Sequence, residues 1–155
     1  MSENCTHDCS NCTANFVFNG TGANIVALQG FLKSYDCVLA PATAHINVDE
    51  CGAVEKVTAS RIVPLNAPDG KVSPKEIIPA LTGFGAQHHA QPKILSISQP
   101  TELGTLYTPE EIKELIRKAM EYANMEILEI ANGNEELEQM GTTLEICLKY
   151  GHKVY

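Results

Sequence analysis

The sequence predicts an α/β fold: a three-layer domain with a mainly parallel sheet and helices on both faces. Three observations carry that reading. Short apolar runs alternate with helical patterns along the chain. Two of the helical patterns open with capping sequences, Ser73-Pro74-Lys75-Glu76 and Thr108-Pro109-Glu110-Glu111. Runs such as Cys37-Val38-Leu39-Ala40 are apolar at successive positions, as strands covered on both faces must be.

In chain order, Phe16-Val17-Phe18 reads as a strand, Asn19-Gly20-Thr21-Gly22 as a glycine-bearing turn and 23–32 as a helix. Cys37-Val38-Leu39-Ala40 is a second strand, ended by Pro41 and followed by a short amphipathic segment over 45–54. Residues 61–65 form a third strand that meets the turn signal Pro68-Asp69-Gly70. The serine cap predicts a helix over 74–81, and 93–98 reads as a buried strand. Thr108 caps a long helix to about 123, with Ile112, Leu115, Ile116 and Ala119 at helical spacing. Met125 to Ile130 is a strand candidate, 134–150 a helix despite Gly141, and Lys153-Val154-Tyr155 the start of a further strand. Strands joined through helices imply right-handed crossovers. Residues 1–13, polar and without apolar period, are expected to be a flexible cysteine-rich leader to a single domain over 14–155.

Composition narrows the function. The formal charge is −8, from 19 acidic and 11 basic residues, and the two arginines, Arg61 and Arg117, make no patch for a phosphate backbone, so nucleic acid is excluded as a partner. No run approaches the roughly 20 apolar residues that span a bilayer, and the N-terminus lacks a secretory pattern, so no membrane partner and a cytoplasmic location are expected. Three of the six cysteines crowd the first twelve residues, which argues for reduced thiols, with Cys37, Cys51 and Cys147 as small buried apolar groups.

Two places can carry chemistry. Asn19-Gly20-Thr21-Gly22-Ala23-Asn24 opens a helix, where unpaired backbone N–H groups and the helix dipole favour an anion such as a phosphate; the same residues also read as a turn that merely starts a helix. His45 follows the second strand at the carboxyl edge, where ligands of open α/β sheets collect. Its imidazole reads either as a group that stacks on a flat cofactor, with Asp49 or Glu50 as partner, or as a structural histidine. His88-His89 lies in a loop, and Glu110, Glu111 and Glu114 are charges of a helix start.

Four blocks in order and spacing give a resemblance. They are Phe16-Val17-Phe18-Asn19-Gly20-Thr21-Gly22-Ala23-Asn24, Ala44-His45-Ile46-Asn47-Val48-Asp49-Glu50-Cys51-Gly52-Ala53, Pro68-Asp69-Gly70-Lys71 and Gln99-Pro100-Thr101-Glu102-Leu103-Gly104-Thr105-Leu106-Tyr107-Thr108-Pro109-Glu110. Over 15–123 the chain resembles the low-specificity threonine aldolases of the aspartate aminotransferase-like fold. That resemblance implies pyridoxal phosphate as cofactor, with Gly20, Thr21 and Gly22 at its phosphate, His45 stacked on its ring and Glu50 near the substrate side. It also implies retro-aldol cleavage of threonine-type β-hydroxy amino acids to glycine and an aldehyde, in a homo-oligomer.

The family's His-x-Asp-Gly-Ala-Arg motif and its Ser-x-x-Lys segment are not in this sequence, and 124–155 contains no aspartate. The expectation is therefore an internal piece of such a lyase, incomplete as a catalyst, that binds the cofactor without a covalent link. The alternative is a non-catalytic binding or assembly domain on the same scaffold. A third reading is an iron–sulfur or zinc module through Cys5, Cys9 and Cys12, with His7 as a further ligand.

Overall fold

Strand β1 (Asp36–Pro41) is buried at every position and forms the axis of the molecule, described in a computed structural model over residues 16–131, 149–150 and 153–154. β2 (Arg61–Leu65) and β3 (Gln91–Leu95) pair with it in parallel on either side, giving the order β2-β1-β3. Val38 lies opposite Ile62 in one direction and Ile94 in the other. Burial on both faces explains the unbroken apolar run Cys37 to Ala40 of β1, whose one proline, Pro41, stands at its last position, whereas the flanking strands carry Pro64 and Pro92 in their interiors.

The pleat sorts the core into two layers. On one face Val38, Ala40 and Ile62 pack with Ala44, Ile46 and Val54, flanked by Ile25 and Leu28 of helix α1 (Gly20–Gln29). Short helices α2 (His45–Val48) and α3 (Ala53–Thr58) belong to this face. On the other face Cys37, Leu39 and Leu65 pack with Ala67, Val72 and Ile77. Ile77 ends helix α4 (Pro74–Ile77), which continues as a 3-10 turn over Ile78–Ala80. The three-layer α/β arrangement is thus the expected one. α5 (Pro109–Ala131) then runs beside α4 with Leu115 buried, the Tyr122 ring tilted by 40° and 5.6 Å from that of Phe84, and the Tyr122 hydroxyl donating to the Leu81 carbonyl.

Both capping sequences work as written. Ser73 Oγ accepts from Lys75 N–H while Glu76 accepts from Ser73 N–H, and Thr108 and Glu111 exchange the equivalent bonds at the start of α5.

Several elements differ from expectation. Phe16-Val17-Phe18 is no strand: Phe16 and Phe18 are fully exposed, and Asn19 immediately caps a helix that starts at Gly20, three residues early. Its aromatic composition suggested a strand, but the run ends at a cap before it can pair. The amphipathic segment 45–54 is broken into α2 and α3 by left-handed residues Cys51 (φ 52°) and Gly52 (φ 65°). Cys51 is exposed, against expectation, while Cys37 is buried, and burial pushes its thiol pKa up. The strand expected over 93–98 is shifted to 91–95 because Gln91 N–H donates to Tyr35 carbonyl and a bulge intervenes between Pro92 and Ile94; the ladder still reaches Ser96 N–H on Leu39 carbonyl. Met125 to Ile130 is not a strand but the end of α5, since neither glycine nor proline interrupts the chain between Pro109 and Gly133. Ala119 is exposed rather than on the buried stripe. Most of the helix expected over 134–150 lies outside the described residues; its last two, β4 (Lys149–Tyr150), pair antiparallel with β5 (Lys153–Val154), where a strand was expected to begin. Cys5, Cys9, Cys12, His7 and Cys147 also lie outside the described residues.

Candidate functional site

Helix α1 precedes β1 and lies against its neighbours α2 and α3, with its N-terminal end at the carboxyl edge of the sheet, the edge where β1 releases the chain into α2. Asn19 is the N-cap, in extended conformation, and its Oδ1 accepts from Gly22 N–H at 2.9 Å. That bond leaves the N–H groups of Gly20 and Thr21 as the donors of the first turn with no acceptor recorded among the described residues. No acidic residue stands in this turn. The helix dipole and two outward donors make the end electropositive in an otherwise acidic chain. A Cβ on Gly22 would meet Val17 Cβ at 3.4 Å, an ordinary contact, so crowding does not explain this glycine.

His45 is the first residue of α2 and its side chain is half exposed. Its Nδ1 lies 3.2 Å from Glu50 Oε1. Glu50, whose side chain is 1% exposed, follows the end of α2, and the two left-handed residues after it turn the chain into α3. Of the two carboxylates considered beside His45, the structure selects Glu50; Asp49 points to solvent. The same Glu50 Oε1 accepts from Asn24 Nδ2 at 2.6 Å. Glu50 Oε2 is buried with no hydrogen-bond partner among the described residues.

One carboxylate oxygen thus joins the helix that carries Gly20, Thr21 and Gly22 to the histidine. The sequence reading brought His45 and Glu50 forward but gave Asn24 no role. The signal was present: an amide in a helix whose neighbours Ala23, Ile25, Ala27 and Leu28 are apolar has to meet a polar partner inside.

A cleft of about 520 Å³ lies elsewhere, between Pro68-Asp69 and the starts of α4 and α5. Asp69, Glu76, Glu110, Glu111 and Glu114 line it. Its one cation among the described residues, Lys71, is held at 2.7 Å by Glu111. Such a wall repels an anion, so the volume there does not mark a phosphate site. His88 and His89 are exposed in a loop laced by Gln91, whose amide donates to the carbonyls of Gly83, Ala86 and His89. Among the described residues no group of three or more His, Cys, Asp or Glu is placed to hold a metal, and no helix is long and apolar enough to cross a membrane.

Residues 3–129 match the family described as beta-eliminating lyase. Two low-specificity L-threonine aldolases, from a Pseudomonas species and from Pseudomonas aeruginosa, are 36% identical over 107 residues, covering 68% of this chain and 31% of each relative. The solved threonine aldolase of Leishmania major superposes with a TM-score of 0.64 at 34% identity, over 67% of this chain and 30% of that one. The chain therefore spans about a third of the length of the relatives it matches.

Proposed function

The chain belongs to the beta-eliminating lyase family, and on that premise we propose that it forms the phosphate-holding and ring-stacking part of a threonine-aldolase-type lyase site that binds pyridoxal phosphate without a covalent link. The observation that carries this reading is the coupling of the α1 N-terminus to His45 through Glu50. The residues fit the cofactor's two recognisable parts. The Gly20 and Thr21 N–H groups, with the Thr21 hydroxyl, would hold its phosphate at a helix end that favours anions. The half-exposed imidazole of His45 offers a flat face for its ring, and Gly22, whose N–H is committed to Asn19, would do no more than keep the approach open.

When bound, pyridoxal phosphate supplies an electron sink for breaking the bond between Cα and Cβ of a β-hydroxy amino acid. This chain's own residues would bind and orient. Gly20 and Thr21 anchor one end, His45 fixes the plane, and Glu50 keeps the imidazole in place and lies on the side assigned to substrate. The motifs that carry a threonine aldolase's lysine and ring-nitrogen aspartate are not in this sequence, so these residues are expected to bind the cofactor rather than to turn over substrate. The reading is supported by the 36% identity to low-specificity L-threonine aldolases over 107 residues.

Absorbance titration of the full chain with pyridoxal phosphate tests the reading. Saturable binding that weakens at least tenfold in His45→Ala supports it. No saturable change, or equal binding by the variant, contradicts it.

A further inference from the structure

Among the described residues Glu50 accepts two hydrogen bonds on one buried oxygen and none on the other, so these two donors orient its carboxylate. Their lengths are unequal. Asn24 Nδ2 lies at 2.6 Å, and His45 Nδ1 at 3.2 Å. Asn24 is carried by a ten-residue helix seated on the core, whereas His45 begins a four-residue helix and is half exposed. The tighter bond comes from the more rigid element, which makes Asn24 the group that sets the carboxylate and His45 the group that follows it.

We propose that Asn24 is a positioning residue: its amide holds the buried Glu50 carboxylate so that Oε1 accepts from His45 Nδ1–H, which fixes the imidazole's tautomer and orientation and leaves Nε2 as an acceptor. A carboxylate only accepts, so a proton must sit on Nδ1 for the bond to exist. This coupling ties the helix that presents Gly20 and Thr21 to the ring of His45, so the two proposed cofactor contacts keep a fixed mutual geometry. The functional meaning rests on the reading of His45 as the ring-stacking residue; the hydrogen-bond chain and its test do not.

The test is a long-range nitrogen–proton correlation spectrum of the full chain with 15N-labelled histidine, recorded at a pH where the imidazoles are neutral and without cofactor. The His45 signals are assigned by their loss in His45→Gln. The wild-type spectrum is expected to show His45 mainly as the Nδ1–H form. In Asn24→Ala the ratio of Nδ1–H to Nε2–H should fall by about 2- to 10-fold, the equivalent of one hydrogen bond. Asn24→Leu, which keeps the size of the side chain and removes its donor without adding a charge, should lower the ratio as well and decides the matter if Asn24→Ala does not fold. His88 and His89 serve as internal references and should not move. A wild-type His45 found mainly as Nε2–H, or an unchanged ratio in a folded Asn24 variant, overturns the proposal. Because no cofactor is present, failure of pyridoxal phosphate to bind leaves this result standing, and loss of the tautomer shift leaves the binding titration standing.

Discussion

Two polar clusters lie beyond the carboxyl ends of the strands, and they differ in how completely their groups are paired. In the first, the loops after β2 and β3 clamp each other. Tyr107 hydroxyl accepts from Val72 N–H, Gln99 exchanges two bonds with the Tyr107 backbone, and Thr105 Oγ1 donates to Asp69 carbonyl. In the second, Asn24, His45 and Glu50 share one oxygen, leave another buried without a partner among the described residues, and adjoin Cys51, a non-glycine residue held at φ 52°. A cluster whose members satisfy one another contributes stability. One that keeps a buried acceptor and a left-handed residue gives up stability, the pattern expected where a ligand or mechanism uses the strained groups.

The largest expected effect lies in the clamp. Gly70 has φ 80°, and a Cβ there would stand 2.8 Å from Thr101 Oγ1. Gly70→Ala should therefore lower the unfolding free energy by about 1–3 kcal/mol, the range for a strained backbone position. Urea denaturation measures it, and a loss below about 0.5 kcal/mol, the scale of a neutral surface change, would mean that the clamp is loose.

Next comes Tyr107→Phe, which strands the buried Val72 N–H and should cost about 1–3 kcal/mol. Glu50→Gln sharpens the comparison, because it removes a buried charge that lacks a full set of donors. It should cost less than Tyr107→Phe in the same denaturation series while weakening pyridoxal phosphate binding. The reverse order of stability would make the Glu50 cluster the structural one.

The smallest effect is electrostatic and belongs to the rim of the clamp. Hydrogen bonds from Lys71 and then Thr108 hold the Glu111 carboxyl below its usual range. A depressed folded-state pKa gives stability that is present above the unfolded value and is lost as pH falls through the folded one. Glu111→Gln should thus lower stability slightly at neutral pH and flatten the acid limb by the same small amount, the two proteins converging below the usual glutamate range; the effect is small because the group is exposed. A large effect at neutral pH would show that this bridge does more than a surface pair.

Much of the fold was legible because its signals are local. The apolar run of β1 and the caps at Ser73 and Thr108 each act within a few residues, and all three stand as read. The errors came where neighbours decide. Phe16-Val17-Phe18 has strand composition but no strand to pair with before the Asn19 cap, and Met125 to Ile130 has strand-like residues inside a helix that nothing interrupts. The site was half legible. His45 and Glu50 stand five apart and were brought forward together, whereas Asn24 joins them across 26 residues of chain, a contact that only the packing of α1 on the sheet creates.

The central claim is that the α1 N-terminus and His45 cradle the cofactor by phosphate and ring contacts alone. Intact mass after borohydride reduction of the full chain saturated with pyridoxal phosphate tests this most directly, because reduction fixes any link to a lysine. The account predicts saturable absorbance binding together with an unmodified mass. A stoichiometric adduct on one lysine, Lys149 or Lys153 included, would contradict it.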